Sequence, residues 1–294
     1  MQGDGVQEQD VRKLLRTVAF ARAHRSFLGR WIAKHLARHV YRDVLEHPSV
    51  RLIVEYDGGL FCVDTGVDSG AQRRILFEPL HEFELVRLIR AVARPGMTCL
   101  DVGAGTGAHA LVMAHAVGPK GRVVAVEPHP DAARCLRDNV AINRLRNVTV
   151  IEGALCRSDG SVQLFSGRDV GVASLVQLEA KAEAREVRGL SGATLLREAA
   201  LASCNLIKID VNGFEWVALD ELRQLIAREH PHVIFKHKKE HWEEAGFRVA
   251  DALAMFDELH YQVFCILEGA TWALTGAPPA YCKLLCVPDD GAGS

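Results

Sequence analysis

Residues 98–107, T-C-L-D-V-G-A-G-T-G, constrain this chain more than any other stretch. A short apolar run (Cys99, Leu100, Val102) ends in glycines at Gly103, Gly105 and Gly107. An apolar helical pattern of Ala110, Leu111, Met113, Ala114 and Val117 follows at once. Strand, glycine-rich turn and helix in that order build a ligand site of nucleotide size. The glycines let the backbone come close to the ligand, and the helix N-terminus offers N–H groups that have no partner within the helix.

Two cofactors compete for such a turn. Gly103-x-Gly105-x-x-Ala108 satisfies the loose dinucleotide fingerprint, and Glu127 ends a second strand, where a ribose-binding acid belongs. Asp101, just ahead of the first glycine, tips the choice. A carboxylate aimed at a pyrophosphate would be repelled, whereas S-adenosylmethionine carries an α-ammonium and a sulfonium that attract it. The pattern Asp-x-Gly-x-Gly-x-Gly resembles the first motif of class I methyltransferases. A plain strand–helix packing turn is the bland alternative.

Composition sets outer limits. At 294 residues the chain holds one large domain or a domain with an arm, and 49% hydrophobic with 24% charged residues is ordinary for a globular protein with a full core. A net charge of -2 gives no global attraction to nucleic acid or anionic lipid. Eight cysteines are scattered without a C-x-x-C pair, mostly in apolar runs as at Cys99, Cys204 and Cys265. They read as small hydrophobes rather than a disulfide framework. A reducing cytoplasm fits that usage, and no apolar run reaches bilayer-spanning length.

Along the chain, residues 10–45 predict an amphipathic helical arm. Leu14, Leu15, Val18, Leu28, Trp31, Ile32, Leu36 and Val40 recur at helical spacing. The other face carries Arg12, Lys13, Arg16, Arg22, Arg25, Arg30, Lys34, Arg38 and Arg42. That face suits an acidic membrane surface, an acidic or phosphorylated substrate, or plain solvent. A hairpin around Asp57-Gly58 is expected next, as a substrate-side lid or platform, and then a helix over 80–93. From residue 98 strands and helices alternate. An added β excursion lies over 158–165, an undecided charged stretch over 181–188, a single helix over 214–228, and a last pair of strands over 261–267 and 281–287. The prediction is an α/β fold: a Rossmann-like, doubly wound, mostly parallel seven-stranded sheet with an antiparallel C-terminal edge pair, plus the N-terminal helical arm and β-hairpin. The corresponding divisions are 1–48, 49–76 and 77–294.

Ligands of such a sheet bind at the strand C-termini. Asp101 and Gly103 follow the first strand. Glu127 ends the second, where a carboxylate can accept both ribose hydroxyls. Glu152 and Ala154 follow the third, with the Ala154 backbone placed to meet an adenine edge. The turn adds Ala104, Gly105 and Gly107, and Glu78 and Pro128 complete the candidate cofactor set. The fourth strand reads L-I-K-I-D-V-N-G-F-E over 206–215, with Lys208 and Asp210 on one face. Two charges in a central strand are costly unless paired or at the sheet rim. Either Asp210 faces the sulfonium and the acceptor from the rim, or Lys208 and Asp210 form a structural pair.

Four ordered motifs make a family resemblance specific. G-M-T-C-L-D-V-G-A-G-T-G, V-V-A-V-E-P-H-P, L-R-D-N-V-A-I-N-R-L-R-N-V and L-I-K-I-D-V-N-G-F-E together resemble the FkbM-type methyltransferase family over residues 77–240. The resemblance implies S-adenosylmethionine at Asp101, Gly103, Gly105 and Glu127, and an acceptor site near Lys208, Asp210 and Glu215. It also implies methylation of a hydroxyl on a sugar, glycolipid or natural product. Two departures stand out. The family's usual G-A-N-x-G is Gly103-Ala104-Gly105-Thr106-Gly107 here, and its usual D-V-E-G-x-E is Asp210-Val211-Asn212-Gly213-Phe214-Glu215. Asn212 therefore stands for a carboxylate, and an acid–base or metal role does not carry over to that position.

Methyl transfer needs in-line geometry at about 3 Å, and a hydroxyl acceptor gains from a general base. Asp210 is the first candidate and His237, past the fifth strand, the second. Glu215 would orient Lys208 or the acceptor. A divalent metal on Asp210, Asn212 and a neighbour is the less favoured route. His237-Lys-Lys-Glu240-His241 fits H-x-x-E-H, but that zinc signature requires one helix carrying both histidines, and here the stretch follows a strand. Expected partners are a small-molecule or glycan hydroxyl acceptor, with weak membrane-surface contact through residues 10–45 and no nucleic acid. An RNA methyltransferase using the basic arm for phosphates, and a non-catalytic scaffold that keeps the cofactor fold, are the competing readings.

Overall fold

The computed structural model describes residues 51–67, 70–77, 82–167 and 169–289. The arm expected over 10–45, the division at 1–48 and Glu78 lie outside the described residues. β1 (Arg51–Tyr56) and β2 (Gly59–Asp64) form the expected hairpin, with Arg51 opposite Asp64. Asp57 and Gly58 turn it at φ of 51° and 80°, the left-handed pair that a two-residue hairpin loop requires. α1 (Gly70–Phe77), absent from the sequence reading, and α2 (Phe83–Val92) follow.

The alternation then begins with β3 (Thr98–Val102), α3 (Ala108–Val117), β4 (Arg122–Glu127), α4 (Pro130–Ile142) and β5 (Val148–Glu152). A small three-stranded excursion interrupts it: β6 (Ala154–Leu155), β7 (Gly160–Ser166) and β8 (Glu183–Leu190). It resumes with α5 (Gly192–Glu198), β9 (Leu206–Ile209), α6 (Glu215–Glu221), α7 (Arg223–Glu229) and β10 (His232–Lys238). α8 (Lys239–Glu244), α9 (Val249–Glu258), β11 (Tyr261–Leu267), β12 (Ala270–Ala273) and β13 (Tyr281–Pro288) complete it.

The main sheet runs β5-β4-β3-β9-β10-β13-β11-β12. It has eight strands rather than the expected seven, because the chain after Glu268-Gly269 returns as β12 to pair with β11. β5, β4, β3, β9 and β10 are parallel. β13 is antiparallel and inserts between β10 and β11, so the last two long strands are neighbours without β13 being an edge. Chain order reverses between β3 and β9, and at such a switch point helices leave opposite faces and a crevice opens.

Alternate residues of the central strands enter opposite cores. Cys99, Val123, Ala125, Leu206 and Ile234 pack with α2 and α3, whereas Leu100, Val124, Ile207, Ile209, Val233 and Phe235 pack with α6, α7 and α9. α3 is largely apolar and is buried over most of its length, in part because Leu85, Val86 and Ile89 of α2 pack against it. Leu52, Tyr56, Phe61 and Val63 of the hairpin join the same core. Asn139 and Asn143, in and just after α4, hold β2: Cys62 N donates to Asn139 Oδ1 at 2.6 Å and Leu60 N to Asn143 Oδ1 at 2.8 Å. The hairpin thus braces the flank of the sheet, and none of its residues lines the cleft described below.

The charged 181–188 stretch belongs to β8 because β7 gives it a full antiparallel partner, and its side chains stay in water. The single helix expected over 214–228 divides at the buried Leu222 into α6 and α7. No helix among the described residues is long and apolar enough to cross a membrane.

Candidate active site

A cleft of about 550 Å³ opens at the C-terminal ends of β3, β4 and β9. Gly103, Gly105, Glu127, Pro128, Gly153 and Ala154 line it on one side of the switch point, and Asp210, Val211 and Asn212 on the other. Val170, Gly171, Ala173, Ser174 and Leu175 from the β7–β8 connection complete the lining.

The turn after β3 is held by its backbone. Gly103 has a φ of 76°, and its N–H and that of Ala104 both donate to Val126 O at 3.0 Å. A Cβ on Gly103 would lie 1.9 Å from Asp210 O, so only glycine lets β3 and β9 end this close together. A Cβ on Gly105 would meet nothing within 4 Å, which leaves that space to the cleft. Ala104 and Gly107 do not line the cleft. Ala104 is buried in the core beside α3, and Gly107 faces Leu136, whose Cδ1 a Cβ would meet at 2.6 Å.

Glu127 closes the turn from β4. Its Oε2 accepts the Gly105 N–H at 2.7 Å and its Oε1 accepts the His129 N–H at 2.8 Å. Burial pushes the carboxyl up to about 7, against the pull of those two donors. Each oxygen keeps a second lone pair for a ligand hydroxyl.

Asp101 lies outside the lining. It is fully buried on the α2–α3 face, where Oδ1 accepts Lys208 Nζ at 2.8 Å and Oδ2 has no hydrogen-bond partner among the described residues. Lys208, 3% exposed, also donates to Gly103 O at 3.1 Å. The structural pair is thus Asp101–Lys208, not the Lys208–Asp210 pair weighed from the sequence, because the β3–β9 register sets Asp101 opposite Lys208. Burial raises the Asp101 carboxyl. Burial would lower Lys208, but Asp101, Asp210 and Glu82 together outweigh it and hold the ammonium charged.

Asp210 pairs instead with Lys236 of β10. Burial opposes its charge, but Lys236 and Lys208 together hold its carboxyl below the usual carboxylate range. Lys236 Nζ also donates to Asn212 Oδ1 at 2.8 Å. The two oxygens that the sequence offered to a metal therefore converge on an ammonium. Among the described residues, no group of His, Cys, Asp and Glu is arranged to hold a metal ion.

Three further candidates stand elsewhere. Glu215 does not touch Lys208. Its oxygens accept the Val211 and Gly213 N–H groups at 3.0 and 2.9 Å and tie the turn before α6, while burial pushes its carboxyl up to about 7. His237, 3% exposed, lies on the opposite face of β10 from Lys236 and packs edge-on against Trp242, with ring centroids 5.6 Å apart. Glu152 turns outward to Arg137 at 2.5 Å and leaves Gly153 and Ala154 to line the cleft. The H-x-x-E-H stretch begins on β10 and ends on α8, so its histidines share no helix.

Lys236 and residues 170–175 are the candidates that the sequence reading misses. Lys236 carries a signal, a charge within the run H-V-I-F-K, of the kind that singles out Lys208. The 170–175 segment carries none. It is held by Asn212, whose φ of 52° is a left-handed backbone that asparagine tolerates. Asn212 Nδ2 donates to Gly171 O and Ala173 O at 3.1 Å each, and Ser174 Oγ donates to Asn212 O at 2.8 Å. A carboxylate could not donate to those carbonyls, which accounts for the amide at this position. Asn212→Asp is expected to release the segment at a cost of about 1–3 kcal/mol. The loss should appear as a lower melting temperature and faster release of S-adenosylhomocysteine, and an unchanged melting temperature would rule out the latch.

The sequence profile of the Methyltransferase FkbM domain matches residues 101–263. A protein-L-isoaspartate O-methyltransferase of Methanothrix thermoacetophila is 48% identical over 60 residues, 20% of this chain and 29% of that protein. A probable cobalt-precorrin-6B C(15)-methyltransferase (decarboxylating) of Sulfolobus acidocaldarius is 43% identical over 72 residues, 24% of this chain and 38% of that protein. The chain thus spans well under half the length of these curated relatives. The solved methyltransferase FkbM of Methylobacillus flagellatus KT superposes with a TM-score of 0.40 at 16% identity, covering 68% of this chain and 50% of its own.

Proposed function

The chain belongs to the FkbM methyltransferase family, and from that premise we propose that it uses S-adenosylmethionine to methylate a hydroxyl of a sugar, glycolipid or secondary metabolite, with Asp210 as the proton acceptor. The residues fit that cofactor. Gly105 leaves open space beside the cleft, Glu127 presents two oxygens with lone pairs to spare, and Asp101 Oδ2 is a buried acceptor beneath the turn without a partner among the described residues. Glu127 would hold the ribose hydroxyls, and the glycine turn with Asp101 the amino-acid end. When bound, S-adenosylmethionine supplies an electrophilic methyl group on its sulfonium.

One observation carries the acceptor assignment. Asp210 borders the cofactor cleft and also a second, smaller cavity, completed by Leu85, Lys208, Ile234, Phe235, Lys236 and Lys283. A hydroxyl brought beside Asp210 in the cleft meets a carboxylate already ionised at neutral pH, because Lys236 and Lys208 outweigh its burial. Asp210 takes the hydroxyl proton as the oxygen becomes a nucleophile, help that contributes about 10²–10⁴-fold. Its neighbour Asn212 keeps the 170–175 segment against the cleft, which limits the water that reaches it.

Calorimetric titration with S-adenosylmethionine and S-adenosylhomocysteine tests the cofactor. Transfer of labelled methyl to a panel of sugar, glycolipid and secondary-metabolite alcohols tests the acceptor. Both sulfur ligands are expected to bind, and Asp210→Asn should keep that binding while methyl transfer falls by about 10²–10⁴-fold. Binding of neither ligand would overturn the cofactor reading, and full transfer by the variant would remove Asp210 from the mechanism.

A further inference from the structure

The methyl-transfer site contains a buried cation that neither the cofactor motif nor the acceptor assignment uses. We propose that Lys236 is a positioning residue: one ammonium fixes the Asp210 carboxylate on the acceptor side and, through Asn212, the 170–175 segment on the cofactor side. The proposal rests on the reading of Asp210 as proton acceptor.

The contacts form a continuous chain. In the β9–β10 register Phe235 stands opposite Ile209, which brings Lys236 beside Asp210 on the same face. The Lys236 side chain is 15% exposed, and its Nζ meets Asp210 Oδ1 and donates to Asn212 Oδ1 at 2.8 Å. Asn212 in turn donates to Gly171 O and Ala173 O, and its own carbonyl accepts from Ser174 Oγ. Asp210, Gly171, Ala173 and Ser174 all line the cofactor cleft, and Asp210 and Lys236 both line the adjoining cavity. A single side chain therefore links the two half-sites, in the place where two convergent oxygens would suit a metal ion.

The surrounding charges cannot substitute for it. Lys208 of β9 is committed to Asp101 of β3 and to Gly103 O. Lys283 of β13 is bridged to Glu82, ahead of α2, at 2.7 Å. Glu82 disfavours a charge on Asp210, and Asp210 likewise repels Glu215 of α6. His241 of α8 is held neutral by burial and by the lysines beside it, down to about 4. Without Lys236, Asp210 would sit buried beside Glu82 and Glu215, opposed only by Lys208 and Lys283 among the described residues, each already engaged with another acid. Its carboxyl would then carry a proton until the pH rises, and a protonated carboxyl cannot accept one from the acceptor.

The test needs no methyl acceptor. Asp210 is followed by carboxyl-carbon NMR in protein with labelled aspartate, its signal assigned by loss in Asp210→Asn, for the wild type and for Lys236→Met, Lys236→Gln and Lys236→Arg. Release of S-adenosylhomocysteine is timed in the same proteins. The wild type and Lys236→Arg should show an ionised Asp210 throughout pH 5–8. Lys236→Met and Lys236→Gln should show Asp210 titrating within that range and should release S-adenosylhomocysteine about tenfold faster. The glutamine variant carries the test if the methionine variant does not fold. An Asp210 that stays ionised at pH 5 in the uncharged variants overturns the proposal, as does a release rate equal to that of the wild type. Failure of the underlying reading looks different: Asp210→Asn would then transfer methyl groups normally while the titration result stood.

Discussion

Lys208→Met is expected to destabilise the protein by about 3–5 kcal/mol, the usual consequence of leaving one member of a buried ion pair alone. Lys208 is 3% exposed in the middle of the sheet and Asp101 is fully buried. Their 2.8 Å contact supplies the only partner of the Asp101 carboxylate among the described residues, since Oδ2 already has none. A methionine fills the volume but cannot neutralise the acid. The loss should depend on pH, with a definite sign. With Lys208 gone, burial raises the folded-state pKa of Asp101 further above its unfolded value of about 3.9. The variant is then least impaired below about pH 4, where Asp101 is protonated in both states, and it loses stability as the pH rises through the folded-state value. Urea unfolding at pH 5 and pH 8 reads this directly. The double variant Asp101→Asn with Lys208→Met should regain much of the stability, because a neutral side chain leaves no buried charge behind. A single variant within about 1 kcal/mol of the wild type at pH 8 would show that the pair is not held as an ion pair.

Gly103→Ala is expected to remove cofactor binding and to lower stability strongly, whereas Gly105→Ala should remove binding at the backbone cost alone. Both glycines are left-handed, at φ of 76° and 57°, and that backbone costs an alanine about 1–2 kcal/mol at either site. The difference lies in what the new methyl meets. At Gly103 it would stand 1.9 Å from Asp210 O, and both groups belong to the backbone, so no rotamer change relieves the clash. The end of β9 must withdraw from β3, at the expense of the 3.0 Å bond from Asp210 N to Val102 O. Asp210 moves with it, so the side of the cleft that it lines is disturbed as well. At Gly105 nothing stands within 4 Å, and the methyl enters space left to the cleft. Thermal unfolding together with calorimetry of S-adenosylhomocysteine separates the two, and equal melting temperatures would contradict the close approach at Gly103.

The strongest local signals led to the correct architecture. A glycine turn between an apolar strand and an apolar helix is a statement about neighbours in the chain. The spacing of Gly103, Gly105 and Gly107 therefore located β3, α3 and the sheet edge where the cleft opens without tertiary information. Glu127 was equally accessible, because a second strand ending in an acid puts that acid at the same edge, and it lines the cleft beside Gly105. Helices and strands in regular alternation implied the parallel sheet for the same reason. Strand β12 escaped notice because all four of its residues are exposed and carry no apolar pattern.

What the sequence by itself determined, then, is the order of elements and which of them end at the edge where the cleft opens, since both follow from short-range periodicity and turn chemistry. Only the tertiary structure decided which charge meets which. Asp101 finds Lys208, more than a hundred residues away, through the β3–β9 register, and Asp210 finds Lys236 through the β9–β10 register. Neighbouring residues of a strand face opposite sides, so the sequence pointed to His237 and passed over Lys236, and only packing set the parity of β10. Phe235 and His237 then fell to the core beside Trp242, and Lys236 to the site. The same holds for Asn212. Its amide is explained by the carbonyls of Gly171 and Ala173, about forty residues away, and no periodicity within the chain could bring those groups together.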